Sequence, residues 1–136
     1  MLSDVHERDR KLSQMAYYDN VTGLTNRDYF MERLDQAASN ALRYGSHFCL
    51  MFIDLDNFKI VNDTLGHQVG DELLREVARQ LTEVSRNSDV RCRIGGDEFA
   101  VILENIQDLE GTGVLAQKII DNLSWPINLH GLEITI

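Results

Sequence analysis

The sequence predicts an α/β fold of the α+β sandwich kind, with a central mixed β-sheet flanked by helices. Apolar residues recur at helical spacing over two long segments, residues 27–44 and 70–84. Shorter apolar runs bounded by turn signals read as strands at residues 48–53, 90–94 and 99–103. Gly95-Gly96 joins the last two runs as a hairpin, and a hairpin makes the sheet mixed rather than purely parallel.

The remaining elements follow in chain order. Residues 1–18 are polar and rich in charge, so we expect a linker helix arriving from an upstream segment. The run at residues 48–53 is apolar at alternating positions on both faces, which predicts a strand buried on both sides. Residues 114–123 predict a short helix, and Pro126 precedes a last strand or hairpin at residues 127–136.

Length, composition and charge limit the possible functions. With 136 residues, 43% of them hydrophobic and 26% charged, the chain fits one globular domain. The net charge of −9 argues against a nucleic acid as partner, and a phosphate-bearing ligand would need divalent cations to approach it. The longest apolar run is too short to cross a bilayer and no signal peptide opens the chain. We therefore expect a cytoplasmic segment without membrane contact, which leaves open an anchor elsewhere in the full-length protein.

The two cysteines fit a reducing compartment. Cys49 and Cys92 both lie inside apolar, strand-like runs, where a thiol behaves as a small hydrophobic side chain. We expect both to be reduced rather than joined in a disulfide.

Two acidic clusters lie where a sheet could bring them together. Asp54 and Asp56 end one predicted strand, and Asp97 and Glu98 follow the Gly-Gly turn. Taken singly, the first pair could simply mark the point where a strand ends in solvent, and the second pair could be solvated residues beside a turn. If the strand lies beside the hairpin, two carboxylates and a backbone carbonyl such as that of Leu55 form a hard oxygen site of the kind that Mg²⁺ prefers.

Polar residues follow directly after the acidic strand. Residues 59–71 predict a loop and a helix start that carry Lys59, Asn62, His67 and Asp71. A carboxylate beside a side-chain amide complements the Watson–Crick edge of guanine, so Asp71 and Asn62 are candidates for reading that base. Each also has a structural interpretation that stays open: a favourable charge in a first helical turn for Asp71, a turn former for Asn62, and a surface or core histidine for His67.

Four segments together resemble a known family. Residues 95–99 read GGDEF, residues 54–63 read DLDNFKIVND, residues 66–71 read GHQVGD, and residues 19–27 read DNVTGLTNR, with Val21 where the family carries leucine. From about residue 15 onward the chain is similar to GGDEF domains, the diguanylate cyclases of bacterial cyclic-di-GMP signalling. The resemblance implies a nucleotide-cyclase-like fold with the GGDEF motif on a β-hairpin.

The resemblance also implies an activity, ligands and residue roles. A Mg²⁺-dependent (or Mn²⁺-dependent) homodimer would condense two GTP into cyclic-di-GMP and two pyrophosphates. Asp97 and Glu98 would be catalytic, and Asp54, the Leu55 carbonyl and Asp97 would bind the metal. Substrate contacts would come from Phe58, Lys59, Asn62, His67, Asp71, Gly95 and Gly96.

A regulatory motif and the domain limits complete the expectations. Residues 86–89, RNSD, fit the RxxD motif of members with product inhibition, in which Arg86 and Asp89 would bind cyclic-di-GMP. The resemblance divides the chain into a linker at residues 1–18 and a GGDEF domain at residues 19–136 that lacks its final strands and helix.

Two other functions stay open at this point. One is a non-catalytic GTP- or cyclic-di-GMP-binding regulatory module within a larger signalling protein, of the kind that can include an EAL phosphodiesterase domain. The other is a nucleotide cyclase that closes a phosphodiester within one ATP or GTP.

Overall fold

The computed structural model describes residues 16–106, 109–124, 127–129 and 131–134. Most of the predicted linker helix at residues 1–18 lies outside the described residues. In chain order the elements are α1 Arg27–Tyr44, β1 His47–Asp54, α2 Phe58–Leu65, α3 His67–Val84, β2 Val90–Gly95, β3 Glu98–Ile106, α4 Leu109–Ser124, β4 Ile127–Leu129 and β5 Leu132–Ile134.

The sheet confirms the predicted fold class and corrects one detail of it. Its strands lie in the order β1-β3-β2 with helices packed against them, and β4 and β5 form a separate two-stranded hairpin. Both ladders of the larger sheet are antiparallel, so the described strands do not form the expected mixed sheet. The larger sheet has one parallel contact in the described residues, an isolated β-bridge between Thr25, before α1, and Cys92 of β2. The antiparallel arrangement arises because β3, returning from the hairpin, inserts between β2 and β1.

The most buried strand is β3 rather than β1. Phe99, Val101 and Leu103 face the core formed with α3 and α4, and Ala100 and Ile102 face the smaller core under α1. The strand at residues 48–53, predicted as buried on both sides, is only partly buried, and Phe52 is 70% exposed. The prediction was wrong because β1 lies at the edge of the described sheet, while β3 takes the central place.

The helices agree with the pattern, with one addition. Asn26 caps α1, since its side chain accepts from the Tyr29 backbone N–H at 2.9 Å. Part of the segment predicted as a loop is α2, which buries Phe58 and Val61 against the core. A helix of eight residues with two buried positions is too short to show a helical repeat of apolar residues in the sequence. Gly66, at φ 94, separates α2 from α3, which begins at His67 rather than at residue 70.

Both cysteines are free thiols, as expected. Burial raises the pKa of the Cys92 thiol to about 11, which leaves it protonated and unreactive at neutral pH. In the part of the chain that the structure describes, no helix has both the length and the apolar character needed to cross a membrane.

Candidate active site at the rim of the sheet

The two acidic clusters meet at one edge of the sheet. Asp54 is the last residue of β1 and pairs in register with Glu98, the first residue of β3. The Leu55 backbone N–H donates to the Asp97 carbonyl at 3.1 Å. The residue that follows β1 is therefore hydrogen-bonded to the residue that follows the Gly-Gly turn. Asp54 and Glu98 are exposed and Asp97 is half-buried. The predicted approach of the two clusters is therefore confirmed at the level of the backbone.

The Gly-Gly turn leaves room above its backbone. Gly96 has φ 52, a left-handed conformation that favours glycine. A Cβ placed on either Gly95 or Gly96 would meet no other described atom within 4 Å. The turn therefore needs glycine for its conformation at residue 96, while the open space over both residues would admit a ligand close to the main chain.

The donors at this rim fit a magnesium ion that shares its ligands with a substrate. Carboxylates and a carbonyl are hard oxygen donors, and Mg²⁺ is usually bound by one or two carboxylates together with waters and substrate phosphates. Asp54 and Asp97 supply the carboxylates, and Leu55 a backbone carbonyl. Within the described ranges, no three His, Cys, Asp or Glu side chains converge into a self-sufficient metal cluster. This donor set matches an ion that is held jointly with phosphates.

The polar residues between the two acidic clusters lie on two successive helices. Lys59 and Asn62 belong to α2, and His67 and Asp71 to α3. Lys59 and His67 are exposed, whereas Asn62 and Asp71 are half-buried. Asp71 lies in the second turn of α3, so the first-turn explanation of its charge is weakened, because the helix dipole acts mainly within the first turn.

Close packing positions Asn62. Gly70 is buried, and a Cβ built on it would overlap the Oδ1 atom of Asn62, so only glycine leaves space for the amide in this position. That Oδ1 atom is itself buried and has no hydrogen-bond partner among the described residues. An unsatisfied buried acceptor costs about 1–3 kcal/mol. The oxygen end of the amide therefore lies against Gly70 without a hydrogen bond to hold it there.

Phe58 occupies a different place from the other predicted substrate residues. Its side chain is 8% exposed and belongs to the core cluster beneath α2. A buried ring in this position supports the helix that carries Lys59 and Asn62, so we narrow its proposed role to that support.

The RNSD segment forms a closed turn. The Asp89 side chain is fully buried and accepts from the Arg86 backbone N–H at 2.8 Å. The Arg86 guanidinium, which is 57% exposed, donates to Asp89 Oδ1 at 3.2 Å and to the Glu104 carbonyl at 3.1 Å. Arg86 also borders a cleft of about 560 Å³ whose other lining residues are Leu103, Asn105, Ile106, Gly111, Thr112 and Leu115. Asp89 thus closes the turn from inside, whereas the Arg86 side chain is exposed to solvent.

Sequence reasoning missed one residue beside the site. Arg93 on β2 donates from Nε to the Gly96 carbonyl at 3.1 Å and lies 3.4 Å from each carboxylate oxygen of Asp19. Its place two residues before Gly95 was visible in the sequence, but its partner, 74 positions away along the chain, was not.

Comparison with known proteins identifies the family. The family model described as diguanylate cyclase, GGDEF domain, matches residues 16–136. The chain belongs to the GGDEF domain family. The earlier resemblance and the α+β fold are thereby confirmed.

Individual relatives agree with this assignment. The chain is 41% identical over 131 residues to cyclic di-GMP phosphodiesterase NbdA of Pseudomonas aeruginosa, covering 96% of this chain and 17% of that protein. It is 36% identical over 125 residues to diguanylate cyclase TpbB of the same species, covering 92% of this chain and 29% of that protein.

A solved structure gives the same result. The coiled coil and GGDEF domain of DgcB from Caulobacter crescentus, in complex with c-di-GMP, matches with a TM-score of 0.85 at 29% identity, covering 98% of this chain and 70% of that one. The present chain covers less than a third of the length of either curated relative, NbdA or TpbB.

Proposed function

We propose that the full-length protein is a diguanylate cyclase that condenses two GTP into cyclic-di-GMP and releases two pyrophosphates. The observation that supports this most is the meeting of Asp54 with Asp97 and Glu98 at one rim of the sheet. The polar residues of α2 and α3 follow this rim directly along the chain. Family membership and the name of the relative TpbB support the same activity.

The rim residues divide the chemical tasks. Asp54, Asp97 and the Leu55 carbonyl would hold Mg²⁺ or Mn²⁺, which when bound supplies charge neutralisation and a lowered pKa for a 3′-hydroxyl. The hydroxyl oxygen forms a bond to the α-phosphorus of the second GTP while the bond from that phosphorus to the pyrophosphate oxygen breaks. Asp97, assisted by Glu98, would accept the hydroxyl proton. The open backbone at Gly95 and Gly96 leaves room for the phosphates.

The helices would bind and select the nucleotide. Lys59 and His67 are exposed cationic or polar groups suited to phosphate oxygens. Asn62 and Asp71 would read guanine, since a carboxylate accepts from its ring N–H and amino group and an amide complements the adjacent acceptor. Because each GTP supplies one hydroxyl and one phosphorus, two domains must face one another with two-fold symmetry. The partner in catalysis is therefore a second copy of this domain.

The direct test is product formation by the full-length protein. Incubation with GTP and Mg²⁺ should give cyclic-di-GMP and pyrophosphate in a 1:2 ratio, separated by chromatography, at an initial rate that rises faster than linearly with protein concentration in the range where the dimer forms. A cyclic mononucleotide as the product would indicate intramolecular cyclisation and contradict the proposal. Chelation of the divalent cation should stop the reaction.

A regulatory module is the second candidate, and one relative favours it. NbdA is named as a phosphodiesterase although this chain matches it at 41% identity. In this case GTP or cyclic-di-GMP would bind at the same rim without turnover and act on another domain. The same incubation separates the two candidates, because a regulatory module binds GTP in calorimetry but yields no cyclic-di-GMP.

We further propose that Arg86 contributes to a product site distinct from the rim. Its guanidinium is more than half exposed and borders the cleft beside β3 and α4. A planar guanidinium binds phosphate or a guanine edge through paired hydrogen bonds that lysine cannot reproduce in geometry. Asp89 would contribute by fixing this arginine, because its own carboxylate is buried in the turn.

Arg86→Ala should raise the cyclic-di-GMP concentration for half inhibition by at least about tenfold, or 1.4 kcal/mol. Initial rates at low product should stay near the parental value, because Arg86 is outside the proposed catalytic set. The measurement is initial rate against added product, with Arg79→Ala, another exposed arginine, as control. If the inhibition curves of the parent and Arg86→Ala coincide, Arg86 does not contribute to a product site. Asp89→Ala is a poorer probe, because it removes the buried carboxylate that closes the turn and so also disturbs the local fold.

A further inference from the structure

Arg93 connects two parts of the chain that are distant in sequence. Its side chain is 15% exposed, and its guanidinium lies between the 19–26 loop and the Gly-Gly turn. Nε donates to the Gly96 carbonyl at 3.1 Å, and Nη1 lies 3.4 Å from both oxygens of Asp19. One planar group thus contacts the loop with one nitrogen and the turn with another.

The loop side of this connection is firmly anchored. Asp19 accepts from the Thr22 backbone N–H at 2.9 Å and from its hydroxyl at 2.8 Å, which fixes the carboxylate. Thr25 joins the edge of β2, since its N–H donates to the Arg91 carbonyl at 3.1 Å and its carbonyl accepts from the Arg93 N–H at 3.2 Å. Asp19 is therefore a fixed point against which Arg93 can hold the turn.

On the turn side, two consecutive carbonyls are held by two different partners. Arg93 binds the Gly96 carbonyl, and the Leu55 N–H binds the Asp97 carbonyl at 3.1 Å. The peptide that carries the Asp97 side chain lies between these bonds. At a glycine turn with open space around it, fixing both carbonyls restricts the direction in which the Asp97 carboxylate points.

We propose that Arg93 is a positioning residue: through Asp19 it fixes the Gly-Gly turn so that the Asp97 carboxylate stays beside Asp54. The inference rests on the proposed function, because it assigns the metal to these two carboxylates. It adds that the geometry of the metal site depends on the 19–26 loop. Displacing this loop from β2 would then loosen the site.

Arg93→Lys is the decisive variant, because lysine keeps the positive charge but cannot contact Gly96 and Asp19 with separate planar donors. In the full-length protein it should raise the Mg²⁺ concentration for half-maximal rate by about tenfold or more and lower kcat, with a smaller effect on the KM for GTP. Amide hydrogen exchange should increase at Leu55 and at residues 95–98, while exchange in α3 stays at the parental rate.

The matched control is Arg75→Lys. Arg75 also binds the 19–26 loop, donating to the Val21 carbonyl at 3.2 Å, but from α3 and away from the turn, so it should change neither readout. Unchanged exchange at Leu55 and residues 95–98 in Arg93→Lys would overturn the proposal, as would a parallel rise throughout α3, which would indicate a general role in the fold. If the parent makes no cyclic-di-GMP, the proposed function fails, and the exchange comparison still decides whether Arg93 holds the turn.

Discussion

Asp97→Ala and Asp54→Ala should each lower the rate of cyclic-di-GMP formation by at least about 10³-fold, or about 4 kcal/mol of transition-state stabilisation. Each change removes one of the two carboxylates that we propose hold a metal against the triphosphate. The two acids face one rim, Asp54 from the end of β1 and Asp97 from the turn before β3. The remaining carboxylate and a carbonyl make a weaker site, so added Mg²⁺ should restore only part of the loss. The measurement is kcat and kcat/KM for GTP over a range of Mg²⁺ concentrations.

The fold should tolerate both changes. Asp54 is exposed, and it is the backbone carbonyl of Asp97, rather than its side chain, that accepts from Leu55. Surface substitutions of this kind usually change the free energy of unfolding by less than about 0.5 kcal/mol. Asp35→Ala, which removes an exposed carboxylate from α1, controls for the loss of charge and should keep parental activity. Near-parental turnover by either rim variant would refute the metal assignment.

Local patterns were enough to predict most of the fold. The 18 residues of α1 give several helical turns of apolar spacing, and the glycines at 95 and 96 fixed the hairpin. The hairpin, together with the acidic end of the strand predicted at residues 48–53, also predicted the site, since a strand beside that hairpin brings Asp54 near Asp97. The order of the strands was harder to predict. Only tertiary packing decides that β3 lies between β1 and β2, and so which apolar run is buried on both sides.

The contacts that support the site were invisible for a related reason. Arg93 and Asp19 are each ordinary surface residue types, and their pairing spans 74 positions. Gly70 was predicted as the first residue of a helix, but in the structure it lies inside α3, where it leaves space for the amide of Asn62. Sequence patterns predict residues that do chemistry by their type, whereas residues that hold them in place show their role only in three dimensions.

Asp71→Asn should weaken GTP binding by about 1–3 kcal/mol, or roughly 5- to 150-fold, because the variant presents a donor where the parent presents only acceptors. The guanine ring N–H and amino group are both donors. In the variant, one of the two carboxylate oxygens that would accept from them is replaced by an NH₂ group, which donates. The change keeps the shape of the side chain, and residue 71 lies beyond the first turn of α3, so stability should hardly change. Calorimetry of GTP binding measures the effect, and the parent should bind ATP much more weakly than GTP.

Gly70→Ala tests the same proposed base-reading pair through its other member, Asn62. The added methyl would overlap Asn62 Oδ1, and that amide has no hydrogen bond of its own at Oδ1 within the described structure to resist displacement. GTP affinity should therefore fall although neither proposed base-reading residue has been replaced. Gly113→Ala, on an exposed turn of α4 with room for a methyl group, is the matched control and should leave binding unchanged. If Asp71→Asn and Gly70→Ala both bind GTP like the parent, Asn62 and Asp71 do not read the base. If the parent binds ATP and GTP equally, the site does not select guanine.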